Sequence, residues 1–124
     1  MNNKELIEQC IDVYYEGCCE SDPLKIKKAF DENAMISGYL PDGLHEMNLE
    51  EFAGFVEAQQ PSPKEKGDEP FLEILSCEIL GDTALVKIKE AYLGMIFIDS
   101  FSFLKKDNTW RIYTKLFHVE SLIS

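Results

Sequence analysis

The 124-residue chain reads as one α+β domain, residues 1–124, in which about three helices precede a four-stranded antiparallel meander. Two observations predict this. Apolar residues recur at helical spacing through the first half, and from Phe71 onward the period becomes two. Gly, Asp and Asn pairs then punctuate the second half where hairpin turns belong. With 45% hydrophobic residues the chain has enough material for a core.

The first helix runs from Asn3 to Glu20. Leu6, Cys10, Val13, Tyr14 and Gly17 share its apolar side, and Asn2 with Glu5 forms a capping-box pattern. Asp22 then caps a short second helix with Pro23 at its first position, where the missing N–H is harmless. Lys25, Lys27 and Lys28 load the end of that helix, where cations suit the dipole. Ala34 to Leu40 reads as a short strand ended by the turn Pro41-Asp42-Gly43. Asn48 and Glu51 cap a third helix with Leu49, Phe52, Phe55 and Val56 on its apolar side. The stretch PSPKEKGDEP reads as a polar loop. Four strands follow, joined at Gly81-Asp82, Gly94-Met95 and Asp107-Asn108.

Composition excludes several partners. A formal net charge of −11 argues against nucleic acid and anionic membranes. No apolar run approaches the ~18 residues that cross a bilayer, and the polar start MNNKELIEQC lacks a signal-type apolar core, so the expectation is cytoplasmic. Cys10, Cys18, Cys19 and Cys77 match no zinc spacing and read as small hydrophobes. The chain contains no nucleophile elbow, Gly-rich phosphate loop or HExxH, and nothing in it demands a cofactor or metal.

Strand parity places an acid inside. Phe97, Asp99, Phe101 and Phe103 form one face of the penultimate strand. Trp110, Ile112, Thr114, Leu116 and His118 form the uncharged face of the last strand, and Lys115 then points outward. Two-residue turns put Asp99 beside Leu116 and diagonal to His118, Glu90 opposite Asp99, and Glu73 opposite Glu90. Like charges facing one another destabilise a sheet, so such a row lies at a wet mouth, keeps a proton, or meets a cation or substrate. A raised carboxyl pKa is how proteins make a general acid or base. Asp99, Glu90 and His118 are therefore the candidate proton-transfer residues. Tyr14, Phe30, Met35, Tyr39, Met47, Phe52, Phe55, Tyr92, Phe97 and Trp110 are candidate ligand-contacting walls. His45 is a further candidate at a pocket mouth. A metal site from Glu73, Glu90, Asp99 and His118 is chemically conceivable but has no close-spaced ligand motif behind it.

The order of pieces resembles the nuclear transport factor 2-like superfamily, within it the SnoaL-like and "putative lumazine-binding" group. Tyr15 and Gly17 before Asp22, then Leu24, Ala29-Phe30 and Ala34 carry the first half of the resemblance. Phe97, Asp99, Leu104-Lys105, Asp107, Trp110, Ile112, Lys115 and Phe117 carry the second. Two places depart from the group's pattern: Asn108 stands where Gly is common, and Ser100 where Tyr is common. The resemblance implies a cone-shaped, cystatin-like roll, a curved sheet wrapped around a long helix with a deep apolar pocket. Relatives include dehydratases, isomerases, cyclases, ligand binders and transport factors, and fold alone does not choose among them. It also implies a homodimer through the outer sheet face, and Ile96, Ile98, Leu104, Tyr113 and Phe117 would be the apolar patch that it covers.

Three functions follow as expectations. The first is a domain binding an apolar small molecule above Asp99. The second is an enzyme of the same shape using Asp99 with Glu90 or His118. The third is a protein-interaction module with a filled core. Volume separates the third: if Met35, Met47, Phe52 and Phe55 fill the cone, no cavity of ~300 Å³ remains and ligand binding within it, with or without catalysis, is implausible.

Overall fold

A computed structural model of the protein describes residues 1–123. Four helices, α1 (Asn3–Glu20), α2 (Pro23–Ala29), α3 (Leu49–Glu57) and α4 (Pro63–Lys66), lie among six strands. The strands are β1 (Phe30–Leu40), β2 (Gly43–Asn48), β3 (Leu72–Leu80), β4 (Thr83–Tyr92), β5 (Met95–Lys106) and β6 (Thr109–Leu122). They form one sheet in the order β2-β1-β6-β5-β4-β3. Only β1 and β6 run parallel among the described strands, and every other pair is antiparallel. The α+β class is as expected. No described helix is long and apolar enough to cross a membrane.

Local chemistry explains the helix starts. Asn2 accepts from the Glu5 amide while Glu5 answers to the Asn2 amide, and Asn48 and Glu51 repeat the arrangement. Asp22 caps α2 with Pro23 in its first turn. The chain holds more structure than its sequence announces. The segment read as a polar loop contains α4, started by a Ser62–Glu65 capping box. The turn-rich stretch before α3 is strand β2, and β1 begins at Phe30.

The register differs from simple hairpin counting at four places. The β4–β5 turn is Leu93-Gly94, since Tyr92 pairs with Met95. Leu75 is an extra residue in β3, so Glu73 pairs with Lys89 on the outer side. In β6, Tyr113 is extra: Ile112 still pairs with Phe103, but Thr114 pairs with Ser102. Everything beyond that bulge changes face. Lys115 and Phe117 turn inward, and Thr114, Leu116 and His118 turn outward. A further shift lies between Ile96 and Phe97, where Glu120 is skipped.

The core lies between the concave side of the sheet and the helices. Ile7, Ile11, Tyr14 and Cys18 of α1 meet Phe101, Phe103 and Ile112 there. Tyr14 sits edge-on to Phe30 and Phe101 at 5.8 and 5.3 Å. The cysteines are free, and burial pushes the Cys10 thiol up to about 12, so it is inert packing at neutral pH.

Candidate functional site

Inside the sheet one polar group follows another. Tyr14 reaches down from α1, and Glu90, Asp99 and Lys115 rise from β4, β5 and β6. Strand pairing sets their places. Asp99 pairs with Ile88 and Phe117, so Glu90 and Lys115 lie diagonally on either side of it, two residues along each neighbouring strand. All four are buried, and Asp99 is 0% exposed.

The contacts form a ring. Lys115 Nζ donates to the Tyr14 hydroxyl at 2.6 Å. That hydroxyl lies 3.0 and 2.9 Å from Glu90 Oε1 and Oε2, to which it donates. Lys115 Nζ stands 3.7 Å from Asp99 Oδ2 as an ion pair. Neither Asp99 oxygen has a hydrogen-bond partner while Glu90 is an anion, among the described residues. A protonated Glu90 supplies that missing donor. Burial, and then the charge of Asp99, push the Glu90 carboxyl well above the usual carboxylate range, against the opposing pull of Lys115 and Tyr14. For Lys115, burial works against the ammonium, but Asp99 and Glu90 outweigh it and hold its pKa above the ordinary value. The ring therefore carries one ammonium, one carboxylate and one carboxylic acid, and sums to zero. Burial likewise keeps the Tyr14 phenol neutral.

Glu90 and Lys115 form the floor of a throat. Its walls are Leu40, Met47, Phe52, Phe55, Phe97 and Phe117, with Tyr92 and Leu93 on one side. The Lys115 ammonium lies 4.8 Å from the Phe52 ring centre and 5.5 Å from that of Phe117. Gly38 makes room for Phe117: a Cβ there would lie 2.2 Å from the Phe117 carbonyl oxygen. The throat encloses about 30 Å³, roughly the space of one water molecule. The deep cone that the resemblance implies is thus filled, chiefly by α3 and by Phe97 and Phe117. A larger surface groove of about 610 Å³ runs between α1, residues 63–70 and the β4–β5 turn, and Tyr92 and Leu93 separate it from the throat. The Tyr92 hydroxyl is buried and has no partner among the described residues.

The sequence-predicted site divides accordingly. Asp99, Glu90, Tyr14, Tyr92, Phe97, Met47, Phe52 and Phe55 belong to the ring or the throat. Glu90 is diagonal to Asp99 instead of opposite, because the turn is one residue earlier than expected. His118 pairs with Ile98 on the outer face and cannot meet Asp99. Met35 and Tyr39 also point outward, 48% and 63% exposed, since the inward residues of β1 are Ala34, Ile36 and Gly38. Phe30 is core, packed on Tyr14 and Phe52. Trp110 donates from Nε1 to Asn3 Oδ1 at 3.1 Å, at the start of α1 and away from the throat. His45 Nε2 contacts Asp42 Oδ1 at 2.8 Å beside the β1–β2 turn. Glu73 and His118 are both outside, so the conceivable metal set is not assembled. Sequence reasoning placed Lys115 outside and Phe117 in a dimer patch. Both are interior, and the Tyr113 bulge that turns them has no mark in the sequence.

A family described as "Putative lumazine-binding" matches residues 2–118. The chain belongs to this family. Solved structures agree on the fold of this family member. An NTF2-like protein of unknown function from Silicibacter pomeroyi is 22% identical over 97% of this chain and 100% of its own, with a TM-score of 0.84. One from Shewanella baltica is 25% identical over 94% and 93%, with a TM-score of 0.81. A domain of unknown function with a cystatin-like fold from Nostoc punctiforme is 14% identical over 93% and 75%, with a TM-score of 0.74. No functionally curated protein matches.

Proposed function

We propose that the chain is a small-molecule-binding domain whose ligand occupies the throat above Glu90 and Lys115. One observation carries this reading. Two carboxyls, an ammonium and a phenol are enclosed together where well-packed apolar residues would fold at least as stably. Groups so costly to bury gather at functional sites. The family's lumazine-binding description points the same way, although no side chain here singles out a pteridine. The aromatic walls suit a flat molecule. The throat itself takes only the head of such a ligand, and the body lies in the groove beyond Tyr92 and Leu93, whose volume is within the range of small-ligand sites. Leu93 is held at φ 53°, a left-handed conformation that costs a leucine about 1 kcal/mol. Rearrangement of the Leu93-Gly94 turn, which alone with Tyr92 separates the two spaces, would join them.

Native mass spectrometry of the protein as purified tests the reading, with Leu40→Trp as the blocked form. The wild type is expected to carry a small-molecule mass that Leu40→Trp lacks. Identical, bare spectra for both would favour the filled-core interaction module. Catalysis is the second reading, favoured by the proton held on Glu90, which is what a general acid requires.

The outer sheet face supports self-association. The chain has 23 acidic residues, yet outward positions of β4, β5 and β6 through His118 hold none. Leu85 and Leu116, each 59% exposed, flank a trough of about 450 Å³ floored by Ser100, Ser102 and Thr114. A second copy fits: its leucines enter this trough by a twofold axis, at a rim where Lys87 stands beside the one carboxylate, Glu78. Ile96, Ile98, Leu104 and Tyr113 lie on this same outer side of β5 and β6, whereas Phe117 is inside. Light scattering is expected to give twice the chain mass for the wild type and the single mass for Leu116→Glu. A monomeric wild type would remove the proposal.

A further inference from the structure

The throat's polar lining also fixes the chemistry of the ligand's head, on the ligand-binding reading above. Three polar side chains reach the cavity: Glu90, Tyr92 and Lys115. Glu90 is committed, receiving Tyr14 on its oxygens and giving its proton toward Asp99. Lys115 has three N–H groups. One serves the Tyr14 hydroxyl and one faces Asp99 at 3.7 Å, which leaves one uncommitted. The Tyr92 hydroxyl has no protein partner among the described residues, and burial keeps it in the neutral, donating form. The floor therefore presents two spare donors, and its one spare acceptor is the oxygen of the Tyr92 hydroxyl itself.

Charge narrows the choice further. The ring of Lys115, Asp99 and Glu90 sums to zero. An anionic head would leave one buried negative charge without a counterion, and a cationic head would face Lys115 directly. Either costs several kcal/mol in an enclosed site. A hydroxyl head adds a third hydrogen: if it donates to the Tyr92 oxygen the Tyr92 proton has no acceptor, and if it accepts from Tyr92 its own proton has none. A carbonyl oxygen has two lone pairs and no hydrogen, and its size matches a space of about 30 Å³.

We propose that the throat is a receptor for the oxygen of an uncharged carbonyl compound with a flat apolar body, held between the Lys115 ammonium and the Tyr92 hydroxyl.

Three probes of one shape test this: acetophenone (neutral carbonyl), ethylbenzene (no acceptor) and benzoate (anion). Binding is read by NMR from chemical-shift changes in the rings of Phe52, Phe97 and Phe117, for the wild type and Tyr92→Phe. Acetophenone is expected to bind at least ~10-fold more tightly than either other probe. Tyr92→Phe should weaken acetophenone about fivefold, one hydrogen bond's worth, and leave ethylbenzene unchanged. Its fold is safe, because the lost hydroxyl makes no hydrogen bond. Ethylbenzene or benzoate binding as tightly as acetophenone would overturn this inference while leaving the ligand-binding reading in place. An unchanged acetophenone affinity in Tyr92→Phe would remove Tyr92 and with it the two-donor receptor. No shift at these rings with any probe would overturn both.

Discussion

Lys115→Met is expected to lower the free energy of unfolding by about 3–5 kcal/mol. Lys115 is the cation of the ring, 3.7 Å from Asp99 and 2.6 Å from the Tyr14 oxygen. Without it a fully buried carboxylate keeps no countercharge, and desolvation then acts unopposed. The penalty measured is that of a buried charge left without its counterion, plus the lost hydrogen bond to Tyr14. Urea unfolding at neutral pH reads it directly. The double variant Lys115→Met with Asp99→Leu removes both charges and should recover most of the loss, because an apolar replacement of a buried pair is often neutral or stabilising. A single variant within 1 kcal/mol of the wild type would mean that Lys115 does not serve Asp99 as its counterion.

Gly38→Ala is the second large effect, and it acts through shape alone. The added Cβ would stand 2.2 Å from the Phe117 carbonyl oxygen and 2.5 Å from Phe117 Cγ. The first neighbour is main chain in a strand paired with β1, so no side-chain rotation clears it. The two strands must part locally, and Phe117 must leave its edge-on contact with Phe97, 6.1 Å between ring centres. A destabilisation of about 3 kcal/mol is expected, together with loss of throat binding, since Phe117 is one of its walls. Urea unfolding that leaves Gly38→Ala within 0.5 kcal/mol of the wild type, roughly the scatter of neutral surface changes, would show that the β1–β6 contact is looser than described.

What could be read from the sequence was local. Asn2–Glu5, Asn48–Glu51 and Asp22-Pro23 announce helix starts because the groups that satisfy the first N–H donors lie within three residues. Asp99 and Glu90 were also legible, since parity within one strand depends on that strand alone. Lys115 was not. In WRIYTKLFHV both alternating sets contain large apolar residues, so the face of each half is decided by the bulge at Tyr113. That bulge answers to packing against β5 and to the parallel pairing with β1, some eighty residues earlier in the chain. The cone's volume was illegible for the same reason. Met35 and Tyr39 were candidate walls, but the strand turns them outward and gives the inner position to Gly38, which admits Phe117. The site therefore kept its acids and exchanged its partner, a lysine in place of a histidine.

The ring's neutrality underlies the ligand reading, the carbonyl preference and the stability of the fold. It rests on one proton. Glu90 has a raised pKa in the folded chain, against about 4.3 when unfolded. Above that lower value the folded state binds more protons than the unfolded one, so Glu90's contribution to stability declines as pH rises until the folded pKa is passed. The direct measurement is the ¹³C shift of the Glu90 side-chain carboxyl across pH 4 to 8. The carboxylic-acid shift is expected to persist at pH 7. Titration of Glu90 in the ordinary carboxylate range would contradict the account, because the ring would then hold two buried carboxylates against one ammonium.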